Sequence, residues 1–219
     1  MGNIDNLARI YFIAKKYVIQ KGFAEEIDWQ SELIFEKLNH LDFLREYTWV
    51  VLSSGMNEKV ITKVFPKIVA VFKDWSNFDY IIENVDAIEN EVLQVFNHKL
   101  KVNAIVNTSF LVYSKGFNQI KKEIAYNGIE YLKKLPFIGE VTCYHLAKNI
   151  GLSYAKPDRH LIRMSNILGF KSPHNMCKII SDRISEKVQV VDLVLWRYAT
   201  IDKRYKEKLK RLKPLIINL

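Results

Sequence analysis

Apolar residues recur along this chain at the three- and four-residue spacing of a helix face in nearly every segment. Leu7, Ile10, Tyr11, Ala14, Tyr17 and Val18 share one face near the start, and Leu33, Ile34, Leu38, Leu41 and Leu44 follow with the same period. Between Val60 and Trp75, the residues Val60, Ile61, Val64, Phe65, Ile68, Val69, Phe72 and Trp75 form another stripe, in which Pro66 predicts a kink or a break between two short helices. Few stretches alternate with period two. The one segment rich enough in Val and Leu to pass for a strand, Val188 to Trp196, contains Asp192 and has helical neighbours, so it too reads as a buried helix. The predicted fold class is all-α. With 8 Gly and 5 Pro and no low-complexity stretch, the loops are expected to be short and the lobes rigidly joined.

The most informative punctuation lies between Leu132 and Gly151, which reads LKKLPFIGEVTCYHLAKNIG. A helix ending near Lys134 is stopped by Pro136, a tight turn passes through Gly139, and a second helix runs through Leu146 to its stop at Gly151. Such a turn aims backbone N–H groups from the start of the second helix at one point, where an anionic phosphate is favoured by unsatisfied donors and the helix dipole. At Gly139 the absence of a Cβ would let the backbone approach that phosphate. Taken alone, Leu-Pro-x-x-Gly also fits an ordinary packing corner between helices. About twenty residues past Gly139, the stretch from Ala155 to Gly169 reads AKPDRHLIRMSNILG, a helix opened by Pro157 and Asp158. Locally, Asp158 is explained by the capping of that helix.

Composition bears on the partner. The 33 Lys and Arg against 24 Asp and Glu give a formal net charge of +9, which favours a polyanion. Two cysteines, Cys143 and Cys177, exclude a disulfide framework, a four-thiolate iron–sulfur cluster and a Cys-rich zinc site, and the five His residues show no ligand spacing. No apolar run approaches the ~20 residues that span a bilayer. The first 23 residues, interrupted by Asp5, Arg9, Lys15 and Lys16, read as an amphipathic helix and not a secretory signal. A cytoplasmic monomer without membrane attachment is expected, associated with the nucleoid if the source is prokaryotic.

The order Leu-Pro-x-Ile-Gly, second helix, then Lys-Pro-Asp-Arg-His-Leu-Ile-Arg resembles the helix-hairpin-helix DNA glycosylases of base-excision repair. The likeness is strong from Leu132 to Gly169 and extends in helix pattern alone over Tyr47 to Lys134. It implies a two-lobed fold with the active-site cleft between lobes: residues 41–150 form a helical-barrel lobe holding the hairpin (about 132–151), and residues 1–40 plus 151–219 form a second helical lobe carrying the Asp. It implies double-stranded DNA as partner, with Phe137, Gly139 and Val141 supplying hairpin amides and K+ or Na+ as a candidate ion at the hairpin carbonyls. Asp158 would be the catalytic carboxylate, stabilising the oxocarbenium character left on the sugar as a flipped base departs and activating water.

Two departures from that family narrow the expectation. Members that also cut the strand carry a Lys two positions after the hairpin's second Gly, and here that position is Val141, which points to a monofunctional hydrolase without cofactor. Lys134, Lys148 and Lys156 are the alternative amines for a bifunctional glycosylase/lyase, and a non-catalytic DNA-binding module is the other alternative. The family's usual first hairpin Gly is Phe137. In the loop after the first barrel helix, Met56 and Asn57 are candidates to fill the gap left by a flipped base, with a core Met and a helix N-cap as their plain readings. Tyr47, Trp49, Tyr144 and Trp196 are candidates to line a base pocket, although each also fits a core. The tail from Asp202 to Lys213 carries seven Lys or Arg and could track phosphates or form a solvated surface helix.

Overall fold

A computed structural model describes the backbone of residues 2–212 and the side chains of residues 6–211. Its regular elements are all helical, in the order α1 (Gly2–Gln20), α2 (Ala24–Glu32), α3 (His40–Ser53), α4 (Glu58–Val71), α5 (Phe78–Glu83), α6 (Val85–Val95), α7 (Lys99–Lys115), α8 (Phe117–Asn127), α9 (Ile129–Leu132), α10 (Thr142–Asn149), α11 (Arg159–Leu168), α12 (Pro173–Ile184), α13 (Val188–Ile201) and α14 (Tyr205–Leu212). Short 3-10 turns occupy Phe35–Lys37 and Lys73–Trp75. No described helix is long and apolar enough to cross a membrane.

The chain divides into two compact units, residues 35–150 and residues 1–34 with 151–219. The border falls at Phe35, not at residue 41, because the 35–38 segment belongs to the first of these units. Lys121 of α8 donates to the carbonyls of Glu36 (2.6 Å) and Leu38 (2.9 Å), and its ammonium lies over the Phe35 ring. The helical stripe expected from Leu33 to Leu44 is correspondingly interrupted. Leu33 is extended, and α3 restarts at Asn39, whose side chain accepts from the Asp42 amide. The seven residues of that gap, three of them in the 3-10 turn, leave no break in the periodicity visible in sequence.

Within the unit spanning 35–150, α3 is the central strut, with Phe43, Leu44, Tyr47, Val50, Val51 and Leu52 all fully buried. It packs on α4, α7 and α10. The stripe predicted through α4 holds for Ile61, Ile68 and Val69, whereas Val60 is exposed. Pro66 sits inside α4 without ending it. Past α4 the chain reverses through three consecutive left-handed residues, Lys73, Asp74 and Trp75 (φ 47°, 53° and 54°). Each such residue costs about 1–2 kcal/mol. Opposing that cost, Trp75 stacks on Phe72 at 5.0 Å and donates its indole N–H to Ser109 at 2.9 Å, while Asp74 pairs with Arg45.

In the other unit, α13 is the hub. Its residues Val188 to Leu195 are buried on every side, as expected of a helix apolar all round. The helical reading of this segment therefore holds. Leu7, Ile10, Tyr11, Ala14 and Val18 present the buried face of α1 to the same core. Polar ties close the unit: Lys187 donates to the last carbonyls around α2, Ser31 (2.6 Å) and Leu33 (2.8 Å), and Arg197 grips Glu26 with two bonds of 2.8 and 2.6 Å.

Candidate functional site

The hairpin forms as a physical consequence of its apolar spacing. Leu132, Leu135 and Ile138 are buried, so the turn residues between them are pushed outward. After α9 the chain descends through single-turn bonds, Lys134 N to Tyr131 O, Leu135 N to Leu132 O and Ile138 N to Leu135 O, and α10 opens at Thr142. Gly151, at φ 89°, turns the chain out of α10.

The conformational work in the turn is done by Phe137, which adopts φ 62° in the left-handed region. Gly139 does not: its N–H is engaged by Thr142 Oγ1 at 2.7 Å, and a Cβ built there would meet nothing within 4 Å. This corrects the expectation that Gly139 contributes a free amide. Thr142, three residues on, is the competing acceptor, a role its hydroxyl takes readily at a helix start. The amides of Phe137 and Val141 meet no protein acceptor among the described residues. Glu140 is strongly exposed beside them, and Lys133 bridges it (2.9 Å) to Glu130 (3.1 Å), which raises the Lys133 pKa and offsets the acid next to these amides.

Phe137 rests on a cluster at the start of α7. His98 meets its ring edge-on at 6.0 Å, and the Lys101 ammonium lies 5.5 Å from the ring centroid. Lys101 is 2 % exposed, and it donates to the carbonyls of Leu52 (2.8 Å) and Ser54 (2.6 Å) at the end of α3. Burial lowers its pKa, and the carbonyl dipoles at a helix C-terminus are the natural partners of the cation. Lys101 thus ties the hairpin turn to the loop holding Met56. Met56 is exposed there, whereas the Asn57 side chain caps α4 by accepting from the Lys59 amide. Of the two gap-filling candidates, only Met56 has an uncommitted side chain.

The pocket candidates separate in the same way. Tyr47 is fully buried, its hydroxyl facing the carbonyls of Pro136 (2.5 Å) and Ala104 (3.1 Å), so it is a strut beneath the hairpin and not a pocket wall. Trp49 is half-buried, perpendicular to Phe65 at 5.2 Å, and Tyr144 is half-buried on α10. Trp196, in the other unit, is half-buried with the Arg197 guanidinium 4.5 Å over its ring. Of the alternative amines, Lys134 is exposed on the turn, Lys148 is buried and Lys156 is half-buried.

Asp158 is the N-cap of α11. Its Oδ1 accepts from the amides of His160 and Leu161, both at 2.8 Å, and Oδ2 has no protein partner among the described residues. The segment before it is pinned by Asp192, a residue 1 % exposed on α13 whose Oδ2 accepts from the Lys156 amide at 2.7 Å. A lone acid inside an apolar run, as Asp192 is in α13, is the sequence signal of a buried polar partner. At its far end α11 stops at Gly169 (φ 85°). In α14, Tyr205 and Leu209 are buried while Lys206, Lys208, Lys210 and Arg211 are exposed, as are Lys203 and Arg204 just before it, and Lys213 lies outside the described residues.

Cys143 and Cys177 are buried free thiols. Among the described residues no group of three His, Cys, Asp or Glu is placed to hold a metal ion. No family model, curated protein or solved structure matches the chain.

Proposed function

We propose that the chain is a monofunctional DNA N-glycosylase of the helix-hairpin-helix type, which extrudes a damaged or modified base and hydrolyses its N-glycosidic bond. The observation that carries this reading is the state of Asp158: one carboxylate oxygen is locked by two amides, and the other is left without a protein partner. A fixed, half-committed carboxylate can orient a water and stabilise positive charge on a sugar without first reorganising. In the reaction the C1′–N bond breaks with its electron pair going to the base. Water adds to C1′, and its proton passes to the carboxylate and from there to solvent or the departed base.

The hairpin's role is to hold the DNA backbone through the amides of Phe137 and Val141, with the basic surface of the chain supplying long-range attraction. Phe137 taking the left-handed conformation where the family has glycine is what keeps that turn compatible with the role. The hairpin carbonyls of Leu135 and Pro136 each accept one protein donor and keep a second lone pair, so K+ or Na+ stays a candidate ion there, and no step runs through it. Val141, 44 % exposed, cannot act as a lyase amine.

The deciding experiment is release of abasic sites, revealed by alkali, from duplexes carrying alkylated, oxidised, mismatched or phage-type modified bases. Asp158→Asn retains a good N-cap and is expected to bind DNA like the parent while losing base release by about 10²-fold or more. Undiminished release by that variant overturns the assignment. The second reading is a non-catalytic DNA-binding module, favoured by the fact that both bonds of Asp158 Oδ1 are ordinary capping bonds. Tight, salt-sensitive duplex binding without release from any of these substrates would establish it.

A further inference from the structure

Elsewhere in the unit that holds Asp158, cations are matched by acids. Lys15 pairs with Glu186, Lys178 with Asp182, Arg197 with Glu26 and Lys208 with Asp202. Around His160 the pattern changes. Arg159 and Arg163 stand four residues apart on α11, both exposed, and α14 packs beside them, with its Tyr205 ring 6.0 Å from the His160 ring. Burial is the largest influence lowering the His160 pKa; Asp158 opposes it, and Arg159, Arg163 and Lys206 each lower it further, so all three cations gather about this one side chain. Among the described residues none of the three forms an ion pair with an acid.

The cluster continues along α14. Lys210, four residues past Lys206, is exposed on the same stripe. Glu207, the one acid of α14, lies on the neighbouring stripe with Lys203 and Arg211. Like charges one turn apart repel, so two helices that bring such pairs together lose stability unless an anion completes them. The chemistry of that anion follows from the groups and their exposure. Guanidinium forks match the oxygens of a phosphate. A small phosphate ester is held in a concavity that buries most of it, whereas these cations are exposed along two helix surfaces, which suits an extended polyanion. A lipid surface is disfavoured. Tyr205 and Leu209 of α14 are buried in the core, and Ile162 is the one large apolar residue exposed on α11, so neither helix has an apolar face to insert.

We propose that α11 and α14 form a phosphodiester-binding surface for duplex DNA, in which Arg163 and Lys206 hold phosphates of the strand that presents its nucleotide to Asp158, with Arg159 and Lys210 extending the contact. Asp158 caps α11, and Arg163 follows it by five residues, about 7 Å along the helix axis. The surface therefore adjoins the carboxylate. Which nucleotide lies there rests on the glycosylase reading; the grip on phosphate does not.

Duplex affinity of the full chain, measured by fluorescence anisotropy from about 50 to 200 mM salt, tests the surface, because each lost phosphate contact flattens the log–log salt slope by about 0.9. Arg163→Gln with Lys206→Gln should flatten it by about 2 and weaken binding about tenfold or more at the lower salt, with each single substitution giving about half the change in slope. Glutamine is a good helix former and relieves the like-charge repulsion, so the double variant should unfold in urea no earlier than the parent. Lys37→Gln with Lys115→Gln removes the same charge from exposed positions of the other unit, Lys115 being at the opposite end of α7 from Lys101, and should leave the slope as it is. Absence of duplex binding by the parent, an unchanged slope in the folded Arg163 and Lys206 variants, or an equal loss in the Lys37 and Lys115 control overturns the proposal. Binding to vesicles of phosphatidylcholine and phosphatidylserine in equal parts that is tighter than duplex binding and lost with Arg163 and Lys206 overturns it in favour of a membrane surface. If no duplex yields base release while binding keeps its dependence on these two residues, the glycosylase reading falls and the surface stands.

Discussion

The hydroxyl of Tyr47 reaches the carbonyl of Pro136, 89 residues further along the chain, at 2.5 Å. Through this bond the central helix α3 supports the hairpin turn from beneath, next to the left-handed Phe137. A turn held by one buried donor is a turn whose geometry can be tested by removing that donor.

Tyr47→Phe keeps the ring, which stacks near Phe43 at 6.4 Å, and deletes only the hydroxyl. The Pro136 carbonyl then loses its donor. A loss of about 1–2 kcal/mol in urea unfolding is expected, with a parallel drop in duplex affinity. Unchanged stability together with unchanged DNA binding would show that the hairpin does not depend on this strut.

Phe137 invites a paired comparison. Alanine and glycine both remove the ring that packs against His98 and Lys101, but only glycine tolerates φ 62° without a Cβ penalty. Phe137→Gly should therefore be more stable than Phe137→Ala by about 1 kcal/mol, a difference from which the packing loss largely cancels. Equal stabilities, measured by thermal and urea denaturation, would mean that the turn does not hold its left-handed geometry in solution.

Glu46 predicts a pH dependence. Burial is the largest influence and lifts its pKa to about 7; Asp42 adds to the rise, while the Asn149 hydrogen bond and Arg45 oppose it. Between the ordinary value of 4.5 and about 7, the folded protein binds more protons at this site than the unfolded chain. The contribution of Glu46 to stability is therefore complete below about pH 4.5, falls as pH rises through about 7, and is flat above that. The full swing is at most about 3 kcal/mol. Glu46→Gln should abolish this slope and be more stable than the parent at pH 8, as read from urea midpoints across pH 4 to 9. A parent whose pH slope survives the substitution would place the titration elsewhere.

What the sequence by itself determined about this protein is its local order. Helical period, the Pro136 and Gly151 stops, the cap at Asp158 and the left-handed end at Gly169 all depend on interactions within a few residues, which a linear reading samples directly. The helix at Val188 to Ile201 was legible for the same reason. The tertiary structure alone decided which side chains are committed and to what. Tyr47 became a strut, reaching the Pro136 carbonyl 89 residues away. The partners of Lys101 and Glu46 lie 49 and 103 residues away, so only the packing of α3 against α7 and α10 could identify them. Helical periodicity specifies which residues share a face, but the partner across that face depends on how one helix lies on the next, and a single sequence does not encode that in any local pattern.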